Sequence, residues 1–324
     1  MRSLALPLAL WPFILANASE KDTPVAPADT PDVLPAISPP YDFNGAIESG
    51  LLEHLTSASH MAVTLPAGKM PEHCMNVAKE NGYSHSDIEA VQVWYGDCDY
   101  PWFFCRLKDS KIQPSTITEF FGKLPIGMRE LVRHIIVLKP KDLHGAAATS
   151  GDDNIRISED SWRLYILAHE ISHSMDSHIS IPGVTQEGQG GLSTSHAWKE
   201  QYSLDSAAVS EYARTSWAED LAETGIIALY DRVVPGGAGT LSNESWSVYR
   251  QYATYQKYYA GILPPGVKVC CTDRLENSPM VIWDDTGSRI ASQDSSPEFN
   301  TSIAIIPPGV FRNRPSCILP RVNQ

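Results

Sequence analysis

Apolar and polar residues alternate along residues 88–95 (IEAVQVWY), and this period of two predicts a strand with one buried face. A second apolar run at 102–107 follows a turn-like stretch at 96–101 that contains Gly, Asp and Pro. Two further short runs, at 134–138 and 154–158, have the same strand-like composition. The pattern therefore predicts a small β-sheet in the first half of the chain.

Apolar residues recur at helical spacing in the segment that follows. No Pro or Gly interrupts residues 159–180, and Ser158 is a suitable N-cap with Glu159 and Asp160 in the first turn. The apolar stripe consists of Leu164, Ala168, Ile171 and Met175. We expect one long helix here, directly after the last predicted strand.

Helical patterns also occur in short segments elsewhere, and they dominate the second half of the chain. They lie at residues 46–57, 71–80, 115–122, 127–133, 195–202, 206–212, 216–231 and 245–261, and the last of these carries a tyrosine stripe typical of packing. This order indicates an α+β fold. We expect an upper lobe with a small mixed sheet at about 45–180, a mainly helical lower lobe at about 181–262 and a loop-like C-terminal segment at about 263–324.

The N-terminal residues indicate secretion. In residues 1–18, Arg2 precedes an apolar run that ends at an Ala-Asn-Ala cleavage site, as in a signal peptide. The run is too short for a membrane anchor, and no later segment is long and apolar enough to span a bilayer. Residues 19–44 are Pro-rich and are expected to form an extended linker or a short propeptide. The folded domain is expected to span residues 45–324.

The charge of the chain excludes one class of partner. The formal net charge is −13, and no cluster of Lys and Arg is present that could neutralise a phosphate backbone. We therefore expect no nucleic-acid partner. The lack of a segment that could span a bilayer gives the separate expectation of no membrane partner. The expected molecule is a secreted, extracellular monomer.

The six cysteines predict disulfide bonds, because an even number in a secreted chain favours full pairing. Cys98–Cys105 is the preferred pair, since a turn-like stretch separates the two residues. Cys74 and Cys317 would then take the adjacent cysteines at 270–271, in an order that the sequence leaves open. N-glycosylation sequons at residues 243–245 and 300–302 also fit a secreted glycoprotein.

The predicted long helix contains the motif H-E-x-x-H. Its two histidines, His169 and His173, are four residues apart, so both imidazoles can face one metal ion. Glu170 lies beside that stripe, where a general base would act on a water molecule. The motif predicts a zinc site, which needs a third protein ligand.

Two glutamates four residues apart provide the best candidate for that ligand. Glu219 and Glu223 would face the same way on a helix that begins near Ser216. One carboxylate could bind the metal while the other accepts a hydrogen bond from a ligand histidine. The alternative is a capping box, in which Glu219 reaches back to Ser216. A further histidine, His178, does not match the spacing of a third histidine ligand.

The motifs HExxHxxD and YxRTxxxExxAE together resemble the catalytic domain of the anthrax lethal factor-like gluzincin metallopeptidases, over about residues 165–225. The chain departs from this pattern at 171–172, 213 and 220–221. The resemblance implies a zincin-like fold. It also implies zinc ligands at His169, His173 and Glu219, a base at Glu170, a catalytic tyrosine at Tyr212, and supporting carboxylates at Glu223 and Asp176. The overall layout is also similar to that of secreted fungal conidiation-specific proteins.

The expected function is that of a secreted zinc-dependent endopeptidase acting on a peptide or protein substrate. Glu170 would activate the attacking water, and the Tyr212 hydroxyl would donate to the developing oxyanion. The strand at 154–158 could hold an extended peptide by strand addition. The alternative is a catalytically silent metal-binding or structural protein on the same scaffold.

Overall fold

The computed structural model describes residues 30–185, 190–272 and 274–290. These residues form a six-stranded mixed sheet, a separate three-stranded sheet and helices that pack against them. The strands are β1 (His60–Thr64), β2 (Lys69–Pro71), β3 (Ile88–Tyr95), β4 (Trp102–Leu107), β5 (His134–Leu138), β6 (Ala148–Gly151), β7 (Asn154–Ser158), β8 (Met280–Asp284) and β9 (Gly287–Ile290). The predicted α+β class is confirmed, and so are the four predicted strands.

Most of the predicted helices are present. The α-helices are α1 (Glu48–His54), α2 (Glu72–Glu80), α3 (Pro114–Lys123), α4 (Ile126–Arg129), α5 (Leu164–His178), α6 (His196–Leu204), α7 (Trp217–Val233) and α8 (Tyr249–Tyr258). The helix expected at 206–212 is absent; the chain there is irregular and leads into a 3₁₀ turn at Ala213–Thr215. Among the described residues, no helix combines the length and the hydrophobicity that crossing a bilayer requires.

The large sheet has the strand order β1-β3-β4-β5-β7-β6. Strands β4, β5 and β7 run parallel at its centre, and every residue of β5 is buried, as expected for a strand covered on both faces. Strand β7 is internal, so its predicted role as the strand that holds substrate is wrong. The antiparallel strand β6 (ATSG) pairs with the outer side of β7 and forms the edge of the sheet. The sequence analysis did not predict β6, because four small residues give no alternation of apolar and polar positions.

Helix α5 begins later than predicted. Its first residue is Leu164, and Ser158 ends β7 instead of capping the helix; its hydroxyl accepts a bond from the Asp160 amide in the connecting turn. The cap comes from α1, where the buried Glu48 carboxylate accepts hydrogen bonds from the amides of Leu164 (2.9 Å) and Tyr165 (3.1 Å). A carboxylate distant in sequence thus satisfies the helix N-terminus.

Helices α5 and α7 cross very closely. A Cβ atom on Gly225 of α7 would lie 2.6 Å from Oγ of Ser172 on α5 and 2.8 Å from the phenol of Tyr255 on α8. The Ser172 hydroxyl is fixed there by the Ala168 carbonyl (2.9 Å) and the Tyr255 hydroxyl (2.8 Å). Only glycine allows this approach. Tyr255 itself is fully buried, which confirms that this part of the tyrosine stripe is packing.

The Pro-rich N-terminal stretch docks onto the protein from residue 30 onward. The amide of Ile37 donates to the Ala208 carbonyl and the amide of Ala208 donates to the Pro35 carbonyl, both at 2.8 Å. Ile37 and Tyr41 are buried. The stretch expected to be an extended linker or a short propeptide is thus packed against the domain from residue 30 onward, because an extended chain can pair with a neighbouring segment. The predicted signal peptide at 1–18 and residues 19–29 lie outside the described residues.

The disulfides differ from the predicted pairs. The bonds are Cys74–Cys105 and Cys98–Cys271, so both the Cys98–Cys105 pair and the pairing of Cys74 with 270 or 271 are wrong. The buried apolar residues of the protein form two separate hydrophobic clusters. Cys105 of β4 and Cys74 of α2 belong to one of them, whereas Cys98 belongs to the other. The sheet therefore separates the two residues of the predicted pair.

The other two predicted cysteine partners and the two glycosylation sequons lie only partly within the described residues. Cys270 is also disulfide-bonded, while Cys317 lies outside the described residues. The sequon residue Asn243 is exposed, as a glycosylation site requires, and Asn300 again falls beyond the described part of the chain.

Substitution of Gly225 by Ala should test the helix crossing. Alanine is normally preferred over glycine in a helix by about 1 kcal/mol, but here its methyl group would overlap Ser172 and Tyr255. We expect Gly225→Ala to lower the free energy of unfolding by about 1–3 kcal/mol, as overpacking usually does. Chemical denaturation measures this. Gly239→Ala is the matched control, since a Cβ there meets nothing within 4 Å; equal stability of both variants would contradict the proposed constraint.

Candidate metal centre

Helix α5 places the two histidines of the motif on one stripe. Nε2 of His169 lies 3.2 Å from Nε2 of His173, and the two rings stand at 82° to each other. His169 is buried and His173 is half-buried, because α7 packs against this part of α5. Both ring nitrogens are therefore held in a partly desolvated space between the two helices.

Glu219 approaches the histidines from the first turn of α7. Its Oε2 lies 3.0 Å from Nε2 of His169 and 3.5 Å from Nε2 of His173. Ser216 caps the helix by accepting from the Glu219 amide at 3.2 Å. Only this half of the capping box forms, because the Glu219 carboxylate turns toward the histidines. The structure thus brings together the three residues that the sequence predicts as ligands.

The three ligand atoms have the spacing of a tetrahedral zinc site. Their separations are 3.0, 3.2 and 3.5 Å. With metal–ligand distances of about 2.0–2.1 Å, neighbouring ligands of a tetrahedral ion lie about 3.3 Å apart. Oε2 of Glu219 is buried and has no hydrogen-bond partner, although an imidazole nitrogen lies on either side. Two nitrogens and one such oxygen fit a zinc ion with an open fourth position.

The electrostatics of the cluster also favour a cation. Burial opposes protonation of His169, but the adjacent carboxylates of Glu219 and Glu223 outweigh it and raise the pKa of His169 to about 10. Burial alone would raise the pKa of Glu219, yet His169 and His173 hold that pKa well below its usual range. Carboxylates thus stabilise positive charge at this point, whether it is carried by a proton or by a metal ion.

A second carboxylate of α7 orients His169. Oε1 of Glu223 lies 3.0 Å from Nδ1 of His169, the nitrogen on the side away from Glu219. Oε2 of Glu223 accepts a hydrogen bond of 2.8 Å from Ser210, whose hydroxyl also accepts from the Ala213 amide at 3.0 Å. The sequence analysis did not identify Ser210. The only feature that could have indicated it is its position two residues before Tyr212, the first residue of the predicted motif. The arrangement is that of a histidine oriented by a supporting carboxylate.

Asp176 supports the site from the C-terminal part of α5. Its two oxygens accept from the amide (2.9 Å) and the hydroxyl (2.6 Å) of Ser193. A Cβ atom on Gly191 would collide with the Asp176 backbone, so the segment at 190–194 lies directly on this end of the helix. Burial raises the pKa of Asp176, and the nearby His173 acts in the opposite direction. Asp176 therefore anchors a loop and adds negative charge near the second histidine.

Glu170 lies beside the cluster and is 6% exposed. Burial raises the pKa of its carboxyl, while the charges of His169 and His173 oppose this shift. A carboxylate that is largely shielded from water and close to a cationic cluster can accept a proton and release it again. This is the position in which the sequence motif predicts a general base.

Tyr212 lies over the first histidine. Its ring stacks on the ring of His169 with a centroid distance of 5.9 Å and an angle of 29°, and the residue is 53% exposed. Partial desolvation, followed by the negative charge of Glu219, raises the pKa of Tyr212 to about 12. The phenol therefore keeps its proton and can donate it in a hydrogen bond on the solvent side of the cluster.

His178 takes no part in the cluster. It is exposed at the end of α5, as expected, and its Nε2 lies 2.7 Å from Oδ1 of Asp153 in the turn between β6 and β7. This contact connects the end of the helix to the edge of the sheet.

The described residues thus define an α+β protein with a His/His/Glu cluster between two crossing helices. The family model of conidiation-specific protein Con-13 matches residues 43–251, and the chain belongs to this family. The matched range contains every residue of the cluster and the N-terminal cap of α5. The predicted similarity to conidiation-specific proteins is therefore confirmed.

A curated relative agrees with this assignment. The chain is 27% identical over 204 residues to conidiation-specific protein 13 of Neurospora crassa, and the matched part is 60% of this chain and 54% of that protein. The chain thus spans about half the length of the relative that it matches. No solved structure matches the chain.

Proposed function

We propose that this protein is a zinc-dependent endopeptidase of the gluzincin type with a zincin-like fold. The observation that carries the proposal is the convergence of His169, His173 and Glu219 to within 3.0–3.5 Å of one another, with Glu170 buried beside them. Tyr212 adds a hydrogen-bond donor over the same cluster. A site that only held a metal would need neither of the last two residues.

The two histidines and Glu219 would hold the zinc ion. When bound, zinc supplies a Lewis acid that polarises the scissile carbonyl and makes water more acidic. Glu170 accepts a proton from the attacking water and later passes it to the leaving amine. The Tyr212 hydroxyl donates a hydrogen bond to the oxyanion that forms on the substrate carbonyl. Glu223, held by Ser210, keeps the His169 ring in its orientation.

The edge of the large sheet suits an extended peptide substrate. Strand β6 pairs with β7 on one side only, among the described residues, and it contacts α5. Its outer backbone groups can pair with an added strand, and none of its side chains is larger than that of threonine. We therefore assign to β6 the role that the sequence suggested for β7. The disulfides support action outside the cell.

Metal analysis tests the first part of the proposal. We expect one zinc ion per purified chain, removable by a chelator and restored on addition of zinc. Glu219→Gln should weaken zinc binding by more than about 100-fold, because a direct ligand loses its charge. Glu211→Gln is the matched control, since Glu211 is exposed and pairs with Arg214 and not with the histidines. Zinc binding of unchanged strength in Glu219→Gln would exclude the gluzincin ligand set.

Glu170→Gln separates catalysis from metal binding. The amide keeps the shape of the side chain but cannot accept the proton, so peptidase activity should be lost while zinc content and melting temperature stay close to those of the wild type. A peptide-library digest followed by mass spectrometry measures the activity. Full activity in the variant, or none in the zinc-loaded wild type, would favour the alternative of a silent metal-binding or structural protein.

Tyr212→Phe tests the oxyanion donor. Loss of one such donor costs about 3 kcal/mol, so kcat should fall by roughly 100-fold while zinc content changes little. Tyr249→Phe is the control, because Tyr249 has a similar exposure and lies outside the cluster. Normal turnover in Tyr212→Phe together with a lower melting temperature would show that Tyr212 acts only in packing.

A further inference from the structure

Residues 30–37, here called the N-terminal strap, contact the loop that carries Tyr212. This loop, residues 205–216, contains little regular secondary structure beyond its terminal 3₁₀ turn. It carries two residues of the candidate site, because Ser210 bonds to Glu223 and Tyr212 stacks on His169. The position of both groups therefore depends on what holds the loop.

The strap pairs with the loop on the N-terminal side of Tyr212. The amide of Ala208 donates to the Pro35 carbonyl and the Ala208 carbonyl accepts from the amide of Ile37, each at 2.8 Å. Ala208 and Ile37 are both buried. This is a two-bond bridge of the parallel β type, and it fixes the loop four residues before Tyr212.

The strap also holds the loop on the C-terminal side of Tyr212. Nη2 of Arg214 lies 2.6 Å from Oδ1 of Asp32, and Nη1 of the same guanidinium lies 2.5 Å from Glu211. Arg214 thus connects Asp32 of the strap to Glu211, and these two loop residues, 211 and 214, flank Tyr212 and Ala213. An exposed ion pair contributes little to the stability of a protein. The Arg214–Asp32 pair therefore acts mainly on the position of the loop.

The strap itself is attached to the helical lobe. The Tyr202 hydroxyl on α6 donates to the Pro31 carbonyl and accepts from the Leu34 amide at 3.2 Å. On its other side, the loop is attached to the 3₁₀ turn that leads into α8, where the Ser247 carbonyl accepts from the amides at 206 and 207 (3.0 and 3.2 Å). The loop is therefore clamped between α8 and the strap.

We infer that the N-terminal strap is a positioning element of the candidate active site. It holds the 205–216 loop so that Tyr212 stays over His169 and Ser210 stays on Glu223, while the three metal ligands themselves lie on α5 and α7. Residues 38–40 are exposed and join the strap to the rest of the domain. Proteolysis at this point would lower turnover without releasing the metal. The catalytic part of this inference rests on the proposed function.

A cleavable full-length chain tests the inference. Residues 38–40 are replaced by the recognition sequence of a specific protease, and the folded, zinc-loaded protein is compared before and after cutting and gel filtration. We expect kcat to fall between roughly tenfold and 100-fold, with a much smaller change in KM and unchanged zinc content. In a Tyr212→Phe background, cutting should lower kcat far less, because the group that the strap positions is already absent.

Hydrogen exchange gives a readout that does not need activity. After cutting, the amides of residues 205–216 should exchange faster, while those of α5 and α7 keep their protection. If the wild type proves to have no peptidase activity, this result still decides the strap inference separately from the proposed function. Unchanged exchange in the loop after release of the strap, or loss of zinc on cutting, would overturn it.

A point variant covers the case in which the inserted sequence prevents folding. Asp32→Arg places a positive charge against Arg214 and should accelerate exchange in the loop and lower kcat severalfold. Val33→Arg is the matched control, because Val33 is 70% exposed and adds the same side chain one residue away. Equal behaviour of the two variants would show that the strap does not act through Arg214.

Discussion

The close crossing of helices α5 and α7 is the constraint on which the candidate site depends. His169 lies almost one turn before Ser172 on α5, and Glu219 lies less than two turns before Gly225 on α7. The distance between Ser172 and Gly225 therefore sets the distance between the histidine nitrogens and the Glu219 oxygen. Metal sites tolerate deviations of only about 0.2 Å, so an added methyl group at the crossing would act on the ligands as well as on the core.

The parts of this arrangement that could be predicted from sequence are those set by local periodicity. Four strands and the motif helix follow from spacing alone, and the four-residue intervals 169–173 and 219–223 place each pair of side chains on one stripe. The choice of Glu219 over a capping box also required only local reasoning, once the motif called for a third ligand. Tyr212 was predicted through family resemblance, and the structure places it at the cluster.

Long-range partners account for what the sequence could not show. Glu48 replaces the expected local cap of α5 from 116 residues away, and nothing near Ser158 reveals this. The sheet places Cys98 and Cys105 in different clusters, which spacing along the chain cannot indicate. Strand β6 is too short and too small in its side chains to produce a pattern. The strap was interpreted as a linker because prolines predict an extended chain but not the surface on which it lies.

The two described disulfides overlap along the chain, and this overlap has a topological consequence. Cys74–Cys105 and Cys98–Cys271 together enclose every residue from 74 to 271. A single backbone nick anywhere in that interval leaves the two fragments covalently joined, since at least one bond bridges the break. The whole metal cluster lies inside this interval. No disulfide among the described cysteines spans the residues before 74. A backbone nick there therefore leaves an N-terminal fragment with no covalent bond to the rest of the chain.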